Sequence, residues 1–291
     1  MNKIKVVYSP KVVSEDHNVS PSAIKPKLLA EHLQVHATLK DAVEFVEPVA
    51  VSRTDIIRCH DEQFVDDVLS LKRPNGFGTK SQSVVDSLPW TNGAMYTAAK
   101  LAYQTKNPTC AIVAGFHHAG YSGFEKLGYF CTFNGLMIAA TKLVEEDGCK
   151  RVSIVDCDMH WGNGTDDILG KIDNKGHYTN ISFGKYFGTM SSGENYLLYF
   201  NSVKTQLQWF KPDIIIYQSG ADVHENDPFG GILTEAEMYE RDIRMFTIAK
   251  ELKIPITWTL AGGYQRDRDG GCSYVLKLHT NTFEACQKVY G

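Results

Sequence analysis

Residues 151–165 read RVSIVDCDMHWGNGT, and the interpretation of the whole chain starts from them. An apolar run at 152–155 is bounded by a glycine-rich turn, a pattern typical of a buried strand. Because side chains alternate along an extended backbone, Asp156, Asp158 and His160 project from one face. Two carboxylates and an imidazole at the end of a hydrophobic strand indicate a metal site. The alternative is a strand end where charged side chains are simply solvated.

The composition is that of an ordinary globular enzyme, with 43% hydrophobic and 22% charged residues in 291. A net charge of -4 gives no reason to expect nucleic acid or an anionic membrane as a partner. No apolar run approaches the ~20 residues that cross a bilayer, and the N-terminal apolar stretch is too short for a signal peptide. Seven cysteines without a C-x-x-C pair predict reduced thiols and a cytoplasmic location.

Short apolar strands alternate with amphipathic helices along most of the chain. Strands are predicted at 4–8, 43–51, 110–114, 151–155, 178–183, 213–217 and 255–260. Helices are predicted at 22–34, 54–71, 90–105, 133–146, 166–169, 195–210, 234–252 and 274–290. This alternation predicts an α/β fold with a mostly parallel central sheet that is covered on both faces. With no repeat, linker or shift in composition, one domain over residues 1–291 is expected.

Polar residues follow four of the predicted strands, where ligands bind in parallel sheets. They are His117 and His118, the group from Asp156 to His160, Asp222, and Tyr264. Each feature alone has a structural explanation, such as a buried histidine pair, an Asx turn or a packed aromatic. Their joint placement at one rim of the sheet favours a functional site.

The residue types at this rim indicate metal-assisted hydrolysis. Asp158, His160 and Asp222 would supply three metal ligands and leave positions open for water and a carbonyl oxygen. The adjacent histidines suit acid–base work near neutral pH, and Tyr264 could donate to an oxyanion. No Walker loop, dinucleotide fingerprint or G-x-S-x-G elbow is present, which excludes the corresponding reaction classes.

Four segments resemble the zinc-dependent histone deacetylase and acetylpolyamine amidohydrolase family. They are GFHHAG at 115–120, IVDCDMHWGNGT at 154–165, SGADVHENDPFGG at 219–231 and AGGYQRD at 261–267. The form of the third segment is similar to the class II-like and bacterial branches. The resemblance implies the arginase-deacetylase fold, a three-layer α/β/α sandwich. It also implies an enzyme that removes acetyl or another short acyl group from an acyl-lysine, an acylpolyamine or a small amide.

Carried over to this chain, the resemblance implies zinc bound by Asp158, His160 and Asp222. The same ligands would also suit iron(II) or cobalt. His118 would be the general base and then the acid that protonates the leaving amine. The remaining catalytic residues implied are His117 as its electrostatic partner, Asp156 orienting His117, Asn163 behind His118, and Tyr264 on the acyl oxygen.

The resemblance also implies a substrate tunnel and a second ion site. The tunnel would be walled by Phe130 and Phe187, with Tyr129 and Gly263 beside them. A structural potassium ion would bind backbone oxygens of Asp156, Asp158 and His160, together with Ser182 and Phe183.

Three departures from the family pattern leave substrate choice open. Tyr129 directly precedes the tunnel phenylalanine, and the loop at 187–189 lacks the usual proline and a glycine. The N-terminal pattern is replaced at 17–23, so that the arginine of the family's inner channel is absent. An arginase-like ureohydrolase with two manganese ions, and a metalloprotein that binds acylated ligands without turnover, are the alternatives. The oligomeric state is not indicated by the sequence.

Overall fold

A computed structural model describes residues 3–15, 20–124 and 130–291. Within those ranges seven strands form one sheet. They are β1 (Ile4–Val7), β2 (Val43–Val46), β3 (Thr109–Ala111), β4 (Val152–Asp156), β5 (Tyr178–Ser182), β6 (Ile214–Gln218) and β7 (Ile256–Thr259). The strand order is β2-β1-β3-β7-β6-β4-β5, and each neighbouring pair is parallel. The predicted parallel sheet is therefore confirmed.

The helices surround this sheet. They are α1 (Lys25–Val35), α2 (Arg53–Ile56), α3 (Glu62–Leu69), α4 (Gln82–Thr105), α5 (Gly135–Glu146), α6 (Asn163–Leu169), α7 (Gly193–Leu198), α8 (Phe200–Phe210), α9 (Glu235–Leu252) and α10 (Ser273–Tyr290). Short 3-10 segments lie at Pro10–Val12, Pro21–Ala23, Leu39–Asp41 and Phe183–Thr189. Of the helices in the described ranges, none combines the length and apolar character needed to cross a membrane.

Two apolar clusters cover the two faces of the sheet. Ile215 and Tyr217 of β6 enter one cluster, which α1, α8, α9 and α10 complete. Ile214 and Ile216 enter the other cluster, which α3, α4 and α5 complete. Because side chains alternate along a strand, β6 feeds both layers and is buried throughout. This arrangement is the predicted three-layer α/β/α sandwich.

The predicted helix over residues 54–71 is in fact two helices, α2 and α3. Ser52 and Asp55 form a capping box that begins α2. The carboxylate of Asp61 accepts a hydrogen bond from the backbone N–H of Phe64 (2.9 Å) and begins α3. The two caps start separate helices within one apolar pattern, which periodicity alone did not distinguish.

Helix α4 begins at Gln82 rather than at residue 90, so the predicted start was wrong. Pro89 lies inside the helix, where proline costs about 3 kcal/mol. Val84, Val85 and Leu88 are all buried ahead of Pro89. Burial of such side chains contributes roughly 1.5–3 kcal/mol each, which is enough to offset the proline.

The seven cysteines are free, as the sequence predicted, and all of them are buried. Burial raises the pKa of the Cys110 and Cys286 thiols well above the usual range. These cysteines therefore act as small apolar groups within the core.

We expect Gly184→Ala to destabilise the fold by about 1–3 kcal/mol, the usual cost of overpacking. The added Cβ would lie 2.0 Å from the carbonyl carbon of His160 and 2.1 Å from its oxygen. Gly188→Ala, in the same 3-10 segment, is the matched control because nothing lies within 4 Å of its added Cβ. Urea denaturation of both variants measures the difference, and equal free energies of unfolding would contradict the expectation.

Candidate active site

Asp158, His160 and Asp222 meet beyond the carboxyl ends of the adjacent strands β4 and β6. The Nδ1 atom of His160 lies 3.0 Å from Asp222 Oδ2 and 3.3 Å from Asp158 Oδ1. Both aspartates are buried, whereas the His160 side chain is 32% exposed and faces outward. The structure thus brings together the three residues that the sequence nominated as metal ligands.

Glycines make the space that the two carboxylates occupy. A Cβ on Gly262 would lie 2.0 Å from Asp222 Oδ2, and a Cβ on Gly220 would lie 2.7 Å from Asp158 Oδ2. Backbone N–H groups bind both acids. Gly262 donates to Asp158 Oδ2 (3.0 Å), and Met159 donates to Asp222 Oδ1 (3.2 Å). A side chain at either position would displace the carboxylates from where they now lie.

The close approach of these three side chains shifts their pKa values. Burial, followed by repulsion from Asp158, raises the pKa of Asp222 to about 7. Burial by itself lowers the pKa of His160, but its hydrogen bonds with Asp158 and Asp222 raise it to about 11. Two buried carboxylates with one imidazole therefore favour positive charge at the point between them.

The donor set fits a divalent metal ion. The three ligand atoms lie within 4.8 Å of one another. One imidazole nitrogen and two carboxylate oxygens are ligands that zinc accepts, with a coordination position left over. A second group with suitable spacing consists of His117, Asp156 and Asp158. There, however, His117 Nδ1 already donates to Asp156 Oδ2 at 2.8 Å.

The two adjacent histidines have different hydrogen-bond partners. The His118 Nδ1–H donates to Asn163 Oδ1 at 2.8 Å, and the two imidazole rings lie 4.1 Å apart. Because a side-chain amide oxygen only accepts, the proton of neutral His118 is on Nδ1, and Nε2 is left free as a base. The Nε2 atom of His117 lies 3.9 Å from Asp158 Oδ1, beside the metal ligands.

These partners shift the two pKa values in opposite directions. Burial, and then the charge of His117, lowers the pKa of His118 to about 3. For His117 burial also acts to lower the pKa, but Asp156 and Asp158 outweigh it and raise the value to about 9. His117 therefore carries the positive charge while His118 stays neutral, as an acid–base pair with separated roles requires.

Tyr264 lies on the turn that follows β7, and its backbone N–H donates to Asp227 Oδ2 (2.8 Å). Burial and the nearby Asp222 raise the pKa of the Tyr264 hydroxyl well above its usual range. The hydroxyl therefore stays protonated and can donate a hydrogen bond. Gly263 of the same turn has φ 131°, a conformation that side-chain-bearing residues rarely adopt.

Aromatic rings line the approach to this group. The Phe130 ring centroid lies 5.5 Å from that of Tyr264, and Phe77 lies 6.2 Å from Phe130. Phe229 was missed by the sequence interpretation, yet its ring lies 4.8 Å from Tyr264 and 6.4 Å from His160. Its position in SGADVHENDPFGG, a segment already assigned to the site, was the available signal.

The other predicted wall residues have different surroundings. Phe187 is half-buried against the core cluster that includes α8 and α9, and its role in a tunnel stays a prediction. Tyr129 lies outside the described residues. Ser182, predicted with potassium, pairs in register with Asp156 and donates to its Oδ2 (3.3 Å). Asp156 and Ser182 are therefore neighbours, and the potassium site itself stays a prediction.

Two buried cations hold the turns that carry the site, and neither was singled out from the sequence. Lys25 Nζ donates to the carbonyl oxygens of Ala261 (2.8 Å) and Gly262 (3.1 Å). Arg241 donates to the carbonyl oxygens of Gly220 (2.5 Å) and Ser219 (3.4 Å). Arg241 lies on the buried face of α9, where a charge among apolar positions could have drawn attention.

Comparison with known proteins identifies the family. A family model described as a histone deacetylase domain matches residues 20–175 and 169–278. The chain therefore belongs to the histone deacetylase family. The sheet, the helical layers and the grouped strand-end residues agree with that membership.

Individual relatives are distant. Histone deacetylase 2 of Arabidopsis thaliana is 26% identical over 250 residues, covering 76% of this chain and 63% of that protein. Histone deacetylase clr6 of Schizosaccharomyces pombe is 23% identical over 291 residues, covering 85% and 68%. Chloroplastic histone deacetylase 10 of Oryza sativa subsp. japonica is 31% identical over 160 residues, covering 47% and 35%. The chain thus spans less than two thirds of the Arabidopsis and rice relatives.

We expect Zn²⁺ to raise the thermal stability of the chain, because an ion that binds only the folded state stabilises it. When the free zinc concentration is 100 times the dissociation constant, the free energy of unfolding rises by about 2.7 kcal/mol. Asp222→Asn, which removes a ligand, should abolish most of this gain. Asp173→Asn is the control, since Asp173 is exposed and forms an ion pair with Lys175. Differential scanning calorimetry with and without zinc gives the comparison, and equal gains in both variants would contradict the ligand assignment.

Proposed function

We propose that this chain is a metal-dependent amidohydrolase that removes acetyl or another short acyl group from an acylated amine. The proposal rests on the grouping of three features: a set of metal-ligand side chains, a histidine pair and a tyrosine. A buried group of metal-ligand type, Asp158, His160 and Asp222, lies beside a histidine pair with opposite pKa shifts. Tyr264 shares a ring contact with Phe229, which also contacts His160. Family membership supports the same conclusion.

Asp158, His160 and Asp222 would hold zinc, and the same donors suit iron(II) or cobalt. Such an ion would polarise the acyl carbonyl and lower the pKa of a water molecule. A structural potassium ion near Ser182, a cytoplasmic location and a single domain over residues 1–291 remain further parts of the proposal.

The chain's own side chains supply the proton transfers. His118 Nε2 takes a proton from the attacking water as the bond from water oxygen to acyl carbon forms. His118 then returns this proton to the amine nitrogen as the carbon–nitrogen bond breaks, which yields a carboxylic acid and an amine. Transfer of the acid's proton to the amine then gives a carboxylate and an ammonium ion. His117 holds its charge against Asp156 throughout. The Tyr264 hydroxyl donates to the acyl oxygen, where negative charge develops.

The aromatic walls favour a slender substrate stem. Phe130 and Phe229 lie 6.3 Å apart between ring centroids, and both contact Tyr264. Apolar rings suit the methylene chain of an acyl-lysine or an acylpolyamine better than a charged head group. A panel that crosses acyl length with peptide, polyamine and small-amide carriers would define the substrate.

A ureohydrolase with two manganese ions is the second candidate. The specific observation in its favour is that Asp158 belongs to both groups with metal-ligand spacing. Urea release from guanidino substrates would support this candidate. Tight binding of acylated ligands without any product would instead support a non-catalytic binding role.

We expect His118→Ala to lower kcat by about 10²–10⁴-fold, because it removes the general base. Tyr264→Phe should lower kcat by about 10²–10³-fold, because it removes an oxyanion donor. Both variants should still bind zinc, since neither residue is a ligand. His32→Gln, a change at a half-buried histidine on α1, is the control. Steady-state kinetics on an acetyl-lysine peptide measures kcat, and elemental analysis measures the bound metal. A wild-type kcat in either variant would refute the catalytic role assigned to the residue that was replaced.

We expect Asn163→Asp to move the acid limb of kcat/KM to higher pH. The new carboxylate would face His118 Nδ1 and raise the pKa of that imidazole by about 1–3 units. Catalysis needs neutral His118, so a higher pKa means that activity is lost at a higher pH as the solution is acidified. Asn201→Asp on the exposed face of α8 should leave the profile unchanged. A limb that stays in place, or moves to lower pH, would contradict the role of His118.

A further inference from the structure

Lys25 is a fully buried cation at the back of the candidate active site. Its side chain is 0% exposed, and no carboxylate lies within ion-pair distance in the part of the chain that the structure describes. Burial lowers the pKa of Lys25 to about 8, even though the charge of Asp222 acts to raise it. Burying an ammonium group without a carboxylate partner costs free energy, and two hydrogen bonds to carbonyl oxygens offset only part of that cost. The presence of a lysine at this position therefore calls for an explanation.

The carbonyl groups that Lys25 binds belong to a turn with unusual backbone geometry. Ala261 has φ 50° and Gly263 has φ 131°, and both values lie outside the conformations that L-residues favour. Such conformations persist where surrounding contacts hold them, and they concentrate at functional sites. Lys25 Nζ donates a hydrogen bond to the carbonyl oxygen of Ala261 (2.8 Å), which is the first of these two residues.

The same ammonium lies where the turns after β6 and β7 meet. The Gly262 carbonyl accepts from Lys25 Nζ (3.1 Å) and also from the backbone N–H of Ala221 (2.9 Å). On its other side Gly262 donates to Asp158 Oδ2 (3.0 Å). Any shift of this turn would therefore move Tyr264, which is two residues further along the chain.

We propose that Lys25 is a positioning residue, which fixes the turn at 261–264 so that the Tyr264 hydroxyl meets the acyl oxygen of the substrate. This inference rests on the proposed function. Lys25 itself does not contact substrate or metal. Lys25 acts on Tyr264 through the carbonyl groups of Ala261 and Gly262. A positioning role of this kind predicts an effect that depends on the Tyr264 hydroxyl, whereas a general contribution to stability does not.

The test is a double-mutant cycle between Lys25 and Tyr264. Lys25→Met keeps the hydrocarbon stem and removes the charge and its donors. We expect kcat on an acetyl-lysine peptide to fall about 10- to 100-fold, the loss that follows from displacing a catalytic group by up to about 1 Å. KM should change little, since the interaction lost is one made in the transition state. In the Tyr264→Phe background the same substitution should cost less than about threefold, because the hydroxyl it positions is gone.

A matched control is available on the same helix. Lys27 is exposed, and its Nζ atom lies 3.9 Å from Glu31 Oε1 on the surface of α1. Lys27→Met should therefore leave kcat and KM unchanged. Lys25→Arg retains the donors and should keep more activity than Lys25→Met. Metal content and a cooperative thermal transition are measured for every variant. If Lys25→Met does not fold, the cycle is run with Lys25→Arg, whose loss must likewise disappear in the Tyr264→Phe background.

An equilibrium measurement separates this inference from the proposed function. The carbonyl oxygen of a straight-chain alkyl hydroxamate would accept from the Tyr264 hydroxyl, so Lys25→Met should weaken its binding, and should do so only when Tyr264 is present. Wild-type kcat and hydroxamate affinity in Lys25→Met, or equal losses with and without the Tyr264 hydroxyl, would overturn the role of Lys25. A wild-type chain that hydrolyses no acyl amide would overturn the proposed function instead, while the hydroxamate cycle would still decide on Lys25.

Discussion

Two carboxylates, Asp158 and Asp222, are buried side by side at the ends of adjacent parallel strands, and most of the site depends on their repulsion. Neither acid reaches water, and the pKa of Asp222 is raised to about 7. Backbone N–H groups and one imidazole offset only part of the negative charge. A divalent cation bound between the two carboxylates would offset the rest of this charge, and this supports the metal site that we propose.

The two carboxylates also influence the protonation states of the side chains around them. His117, between Asp156 and Asp158, is held positive, and that charge in turn helps to keep His118 neutral. Lys25 contributes positive charge from behind, at the carbonyl end of the turn after β7, whereas the charge of Arg241 is paired with Asp242. These surroundings hold His117 protonated and His118 neutral. This is the physical basis for assigning separate base, charge-holding and positioning roles.

The sequence predicted the sheet and the residues grouped at its rim, because both follow from local rules. Apolar runs identify buried parallel strands, and the carboxyl ends of those strands must meet at one edge, which places Asp158 beside Asp222. It did not predict Phe229, Lys25 or Arg241, because their roles depend on how distant segments pack. Lys25 and the Ala261 carbonyl are 236 residues apart in the chain, and no periodicity records that contact. The early start of α4 had a similar cause, since burial of side chains around Pro89 outweighed local propensity.

The most direct test is to count and locate the metal. Protein purified without chelator would be analysed by elemental mass spectrometry, and a crystal structure would be determined with anomalous data at the zinc edge. We predict one zinc ion per chain, bound by Asp158, Asp222 and the Nδ1 atom of His160. Two manganese ions that share Asp158, or a zinc ion bound elsewhere in the chain, would contradict the assignment of this site.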